Sequence, residues 1–160
     1  MPKLYGPAEM VEEIAKKLIP SYHPELATAR IQYICVDVAS KKNGVPVGGK
    51  SKKVTGAMEF LLEKDFIIEV ALEVWNEMTE RQQTALVDHL LECCTGDEDE
   101  DTGEFKWSMR EPDVREFTSI LHRHGAWTDT LMGMVEVAQR LNIEERVQEV
   151  VDSTVDTQEQ

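Results

Sequence analysis

Thr79-Glu-Arg-Gln-Gln-Thr-Ala-Leu-Val-Asp-His-Leu-Leu-Glu-Cys-Cys94 is the stretch around which the rest of the chain falls into order. Thr79, with Gln82 following at the fourth position, is a capping-box pattern in which each side chain satisfies the other residue's orphan backbone N–H. Gly96 stands where a helix would stop. Between these ends Leu86, Leu90 and Cys93 recur at helical spacing, as do Val87, Leu91 and Cys94. The resulting apolar stripe is broad enough for a central, well-covered helix. His89 lies one turn before Cys93 on the same side, and an imidazole and a thiolate at that spacing make a workable pair of metal ligands.

Upstream, Asp65 to Trp75 carries Phe66, Ile67, Ile68, Val70, Leu72 and Val74 and is the strongest strand signal in the chain. It predicts a strand at Phe66–Val70, with Ala71 to Trp75 free to turn helical. Arg30 to Ala39 alternates Ile31, Tyr33 and Cys35 with Gln32, Ile34 and Val36 and predicts a second strand, with Cys35 a buried thiol. The segment between them, Ser40 to Gly56, contains Asn43-Gly44, Pro46, Gly48-Gly49 and five lysines, and reads as a mobile connection or loose hairpin. Gly48-Gly-Lys-Ser51 is no phosphate loop, because the glycine spacing that lets backbone N–H groups wrap a phosphate is missing. Ala8 to Ile19 has the apolar repeat of an amphipathic helix, with Pro20 expected to end it. His23, in the loop that follows, is expected at the surface without a role.

Downstream, Asp97, Glu98, Asp99, Glu100 and Asp101 form a run of carboxylates that repels itself and reads as a solvated loop. It lacks the glycine and distal glutamate of a calcium loop, and is instead a candidate surface for a basic partner. Phe105, Trp107 and Met109 alternate on one face of a short strand. Asp113 to His124 predicts a helix ending at Gly125, with His122 and His124 favoured there by the helix dipole. Thr128 to Leu141 and Ile143 to Val151 predict two more helices, and Ser153 to Gln160 a frayed tail.

The 160 residues suffice for one domain with its own core, expected over 1–152 with a disordered tail at 153–160. Three cysteines without a signal-peptide pattern are expected to be reduced thiols of a cytoplasmic protein. No apolar run is long enough for a membrane span. The net charge of −14 is unevenly spread: Met1–Lys64 holds ten lysines and arginines against seven carboxylates, the remainder seven against 24. So acidic a second part repels phosphate backbones, and direct nucleic-acid binding is not expected.

Leu4-Tyr-Gly-Pro-Ala-Glu-Met-Val-Glu-Glu-Ile-Ala15, Lys50-Ser-Lys-Lys-Val-Thr-Gly56, Asp65-Phe-Ile-Ile-Glu69, Ala85-Leu-Val-Asp-His89, Thr102-Gly-Glu-Phe-Lys-Trp107, Asp113-Val-Arg-Glu-Phe117 and His124-Gly-Ala-Trp127 occur in this order. In order and spacing they resemble the putative phage metallopeptidase family, from about Leu4 to Leu141. The resemblance implies an α+β fold, a small zincin-like domain with a short mixed or antiparallel sheet packed against a central helix and further helices at both ends. It also implies a zinc site made by His-Glu-Leu-Cys-His on the central helix and a third histidine before the next helix, with the glutamate activating the metal-bound water. His89 matches the first ligand. Leu90 stands in place of the glutamate, Cys93 in place of the second histidine and Pro112 in place of the third.

Leu90 cannot take a proton, and Pro112 has no ligating atom. The expectation is therefore a phage-encoded, catalytically inactive metallopeptidase-like protein that needs no cofactor. It would act in the cytoplasm of the infected host by binding a protein partner from the bacterium, possible modes being inhibition of that protein and pairing of an extended peptide to the strand at Phe66–Val70. Two alternatives stand beside it. One is a residual zinc hydrolase using His89 and Cys93, with Glu92 as third ligand or base and Glu111 or Asp113 as substitutes. The other is an acidic mimic of DNA, in which the carboxylates of Asp97–Asp101 stand in for phosphates.

Overall fold

In the computed structural model, residues 2–158 are described, and they form an α+β fold. Contacts divide the chain into two compact units, Met1–Glu111 and Pro112–Gln160. In the first unit, β1 (Tyr5–Pro7) leads into α1 (Glu9–Tyr22) and a short 3-10 turn at Pro24–Leu26. There follow β2 (Ile31–Val36), the small hairpin β3 (Lys41–Lys42) and β4 (Val45–Pro46), β5 (Gly49–Lys53), α2 (Ala57–Leu62) and β6 (Phe66–Ala71). A single turn, α3 (Leu72–Trp75), then leads to α4 (Glu80–Glu92) and to the hairpin β7 (Cys94–Glu98) and β8 (Phe105–Met109).

The main sheet has the order β1-β2-β6-β5. β2 and β6 run parallel, with Ile31 opposite Phe66 and Val36 opposite Ala71, and both outer strands are antiparallel to their neighbours. The sheet is thus mixed. Phe66, Ile68 and Val70 are fully buried, and Ile67 partly so, as expected of a near-continuous apolar strand flanked on both sides. That central position corrects one expectation: β6 bonds β2 on one side and β5 on the other, so no backbone edge is left on it to receive a peptide. The outer strands of this sheet are β1 and β5.

α1 and α4 cover the buried face through Val11, Ala15, Leu18, Val87, Leu90 and Leu91. The capping box of α4 forms as read: the Thr79 hydroxyl accepts the Gln82 backbone N–H and the Gln82 side-chain Oε1 accepts the Thr79 backbone N–H. α4 stops at Glu92, however, and Gly96 belongs to β7. There the indole of Trp107 sits so close that a Cβ at Gly96 would fall 2.5 Å from its ring. Trp107 in turn meets Phe66 edge-on at 5.6 Å, which ties the hairpin to the core.

Three further readings are revised. Pro20 lies inside α1, which continues to Tyr22. The lysine- and glycine-rich segment is half ordered strand: Asn43 and Gly44 take φ of 53° and 80°, the primed-turn geometry of a two-residue hairpin, and Gly49–Lys53 forms β5. Asp97 and Glu98 pair with Lys106 and Phe105 in the β7–β8 ladder, so the carboxylate run is a hairpin arm and turn, not a loose loop.

The second unit contains α5 (Thr118–His124) and α6 (Asp129–Gln158). α5 begins at Thr118, five residues later than its sequence pattern predicts, and Glu116 lies in the irregular stretch before it. Its carboxylate accepts the Phe117 N–H at 2.8 Å and the Trp127 indole N–H at 2.9 Å. His122 and His124 occupy the last turn before Gly125, as expected. α6 continues as one helix through Asn142 and the start of the expected tail. Residues 159 and 160 of that tail lie outside the described residues, as do the side chains of 153–158. No described helix is long and apolar enough to cross a membrane.

Candidate functional site

The site implied by the sequence sits on the last turn of α4 and the strand after it. His89 is exposed, and Cys93 caps the helix half-buried, its backbone N–H bonded to the His89 carbonyl at 3.3 Å. Leu90 lies between them on the inner side, 2 % exposed. It packs on β5 at Gly49, where a Cβ would come within 2.8 Å of a Leu90 methyl. The Ser51 hydroxyl of the same strand donates to the Leu90 carbonyl at 2.7 Å. Leu90 is therefore part of the joint between the central helix and an outer strand.

Glu92 faces elsewhere. One carboxylate oxygen meets the Arg110 guanidinium just after β8, and the other lies 3.5 Å from Nδ1 of His23. His23 is the residue that sequence reasoning misplaced: it is 1 % exposed, not superficial. Its Nε2 lies 2.6 Å from Oδ1 of Asp88, one turn before Glu92. Two carboxylates of α4 thus clasp one imidazole delivered by the end of α1. The signal available in sequence was the i, i+4 spacing of Asp88 and Glu92, two acids on one helical face that require a cation or donor opposite.

Burial raises the Cys93 thiol above its ordinary range, the Glu92 carboxylate raises it further, and Arg110 only partly opposes them. Cys94 is more deeply placed, and burial pushes its thiol to about 12. Both environments favour the thiol over the thiolate. Among the described residues, no three His, Cys, Asp or Glu side chains come together as a metal-holding group. His89 and Cys93 share a helical turn, while Glu92 pairs with Arg110 and lies 3.5 Å from the His23 ring.

A model of one protein family matches residues 4–152. The chain belongs to the putative phage metallopeptidase family. No curated protein and no solved structure matches it. Within this phage metallopeptidase member, the family's match runs through both compact units and includes the whole of β5, α4 and β7. The acidic run is placed on the β7–β8 hairpin. Asp99 is an internal acceptor, taking the N–H groups of Asp101 at 2.9 Å and Thr102 at 3.3 Å and pairing with Lys106 at 3.2 Å. The Asp101 N–H first, then Lys106 and the Thr102 N–H, hold its carboxyl below the ordinary range. Asp97, Glu98, Glu100 and Asp101 are left exposed.

Proposed function

We propose that this phage metallopeptidase family member is non-hydrolytic and acts by binding a protein of the bacterial host. The observation that carries the reading is Leu90, which occupies the position of the family's water-activating glutamate and is buried against Gly49. A side chain committed to that packing supports a helix retained as a structural spine. Glu92, the nearest replacement base, is already held by Arg110 and faces His23.

A binding role is supported by α2. None of its six residues is buried, and Met58, Phe60, Leu61 and Leu62 face solvent, Phe60 at 84 % exposure. Exposed apolar side chains grouped on one short helix mark a contact surface. Lys52, Lys53 and Lys64 flank it in sequence, which suits a partner with an apolar patch rimmed by carboxylates. The exposed acids of the β7–β8 hairpin offer a second surface of opposite charge.

The test combines chemistry and capture. Purified protein is dialysed against zinc, its metal content measured, and hydrolysis of a mixed peptide library followed by mass spectrometry. The proposal expects no stoichiometric zinc and no cleavage, together with recovery of a host protein that Phe60→Glu no longer captures. Stoichiometric zinc and cleavage, both lost in His89→Ala, would establish the residual hydrolase instead.

A further inference from the structure

A second site lies where α1, the 3-10 turn and β2 meet, and it shares no residue with the His89–Cys93 turn. A cavity of about 460 Å³ opens there, within the ~300–1,000 Å³ range of small-molecule pockets. Its walls are apolar, built by Ile19, Pro20, Pro24, Leu26 and Ile31. Three polar side chains complete it: Glu12 and Lys16, one turn apart on α1 and 3.7 Å from each other, and Tyr33 of β2.

Tyr33 is the informative residue. It is 8 % exposed, yet its hydroxyl makes no hydrogen bond to any described residue. No side-chain oxygen or nitrogen among the described residues is both fully buried and unpaired, so this hydroxyl must reach solvent. Tyr33 lines this cavity. A ligand that covers this hydroxyl must offer it an acceptor, because a donor buried without one costs free energy. Burial first, and the nearby Glu12 carboxylate second, hold the phenol protonated at neutral pH, so toward the cavity it acts as a donor.

The cavity thus pairs a fixed O–H donor with a carboxylate acceptor above an apolar floor. We infer that it binds a small apolar molecule carrying an amide, the carbonyl accepting from Tyr33 and the N–H donating to Glu12. A carboxylic acid of the same size would place its negative charge beside Glu12, with only the exposed Lys16 to offset it. A simple hydrocarbon would leave the phenol unpaired.

Phenylacetamide is the probe, with phenylacetate as its charged counterpart, each titrated into the full chain and followed by backbone amide chemical shifts. Phenylacetamide is expected to shift Ile31 and Tyr33 saturably and to bind about fivefold or more tighter than phenylacetate. Tyr33→Phe, which keeps the ring, should weaken phenylacetamide by about fivefold. Ala27→Phe, on the exposed rim, should block it and leaves Tyr33 intact should the first variant not fold. No saturable shift at Ile31 and Tyr33, equal affinity for the two probes, or unchanged binding in folded Tyr33→Phe would each overturn the assignment.

Discussion

Leu90 of the central helix rests directly on Gly49 of the outer strand, with space for hydrogen but not for a methyl group. A Cβ at Gly49 would meet both a Leu90 methyl at 2.8 Å and the Glu69 carbonyl oxygen at 2.9 Å. Gly49→Ala should therefore destabilise the fold by about 1–3 kcal/mol. Leu90→Ala should cost about 2–5 kcal/mol through lost burial and a cavity. The double variant should fall short of the sum, because the shortened side chain removes one of the two clashes while the backbone clash persists. A double-mutant cycle in urea measures the coupling.

His23 answers two carboxylates of α4 from a fully buried position. His23→Ala should lower stability by about 2–4 kcal/mol, chiefly through the void it leaves, since Asp88 stays open to water. Asp88→Asn keeps an acceptor toward the ring and should cost less. Chemical denaturation of the two variants side by side checks the order.

The vicinal cysteines give a pH prediction. Cys94 keeps its proton in the folded state up to about 12, whereas an unfolded thiol ionises near ~8.5. Between those values the unfolded chain binds fewer protons than the folded one, so stability should fall as pH rises through that window. Below it the contribution is fully present. Cys94→Ala should flatten the alkaline slope of unfolding free energy against pH, and iodoacetamide should label Cys94 only as fast as the chain opens.

Arg30 and Asp65 give the opposite slope. Burial alone would raise the Asp65 carboxyl, but the side-chain and backbone N–H groups of Arg30, with its charge, outweigh burial and lower it. A carboxylate lowered in the folded state contributes stability above its unfolded value, lost as pH falls through the folded one. Asp65→Asn should thus be less stable than the parent at pH 7, with the gap closing in acid, as thermal melts at both pH values would show.

Much of this architecture is local and therefore legible in sequence. The capping box of α4 and the apolar stripe behind it need no distant partner to be recognised, and the run Phe66–Val70 can only be a buried strand or core helix. β5 was legible only in part, because a glycine- and lysine-rich segment becomes a strand through pairing with β6 and the fit of Leu90 on Gly49. His23 was missed for the same reason, since the acids that bury it lie 65 and 69 positions away. Gly96 ends no helix: it is a glycine because Trp107 leans on it. In the site, the chemistry of Leu90 and Cys93 could be read from residue identity, whereas the orientation of Glu92 toward Arg110 and His23 depended on tertiary structure.

The sandwiching of β6 between β2 and β5 also bears on how the chain is made. During synthesis both neighbours leave the ribosome before the strand that joins them, and β2 waits through some thirty residues for its parallel partner. Until Ala71 emerges, the nascent chain holds the β1–β2 pair and β5 without the strand that joins them, and an apolar α2 already exposed. The helix bearing Leu90 arrives later still, so the seal on β5 is among the last contacts of the first unit to close. A chain stalled when Ala71 has just left the exit tunnel should therefore hold a sheet that protease still opens at β5, and one stalled when Met109 is well outside it should not.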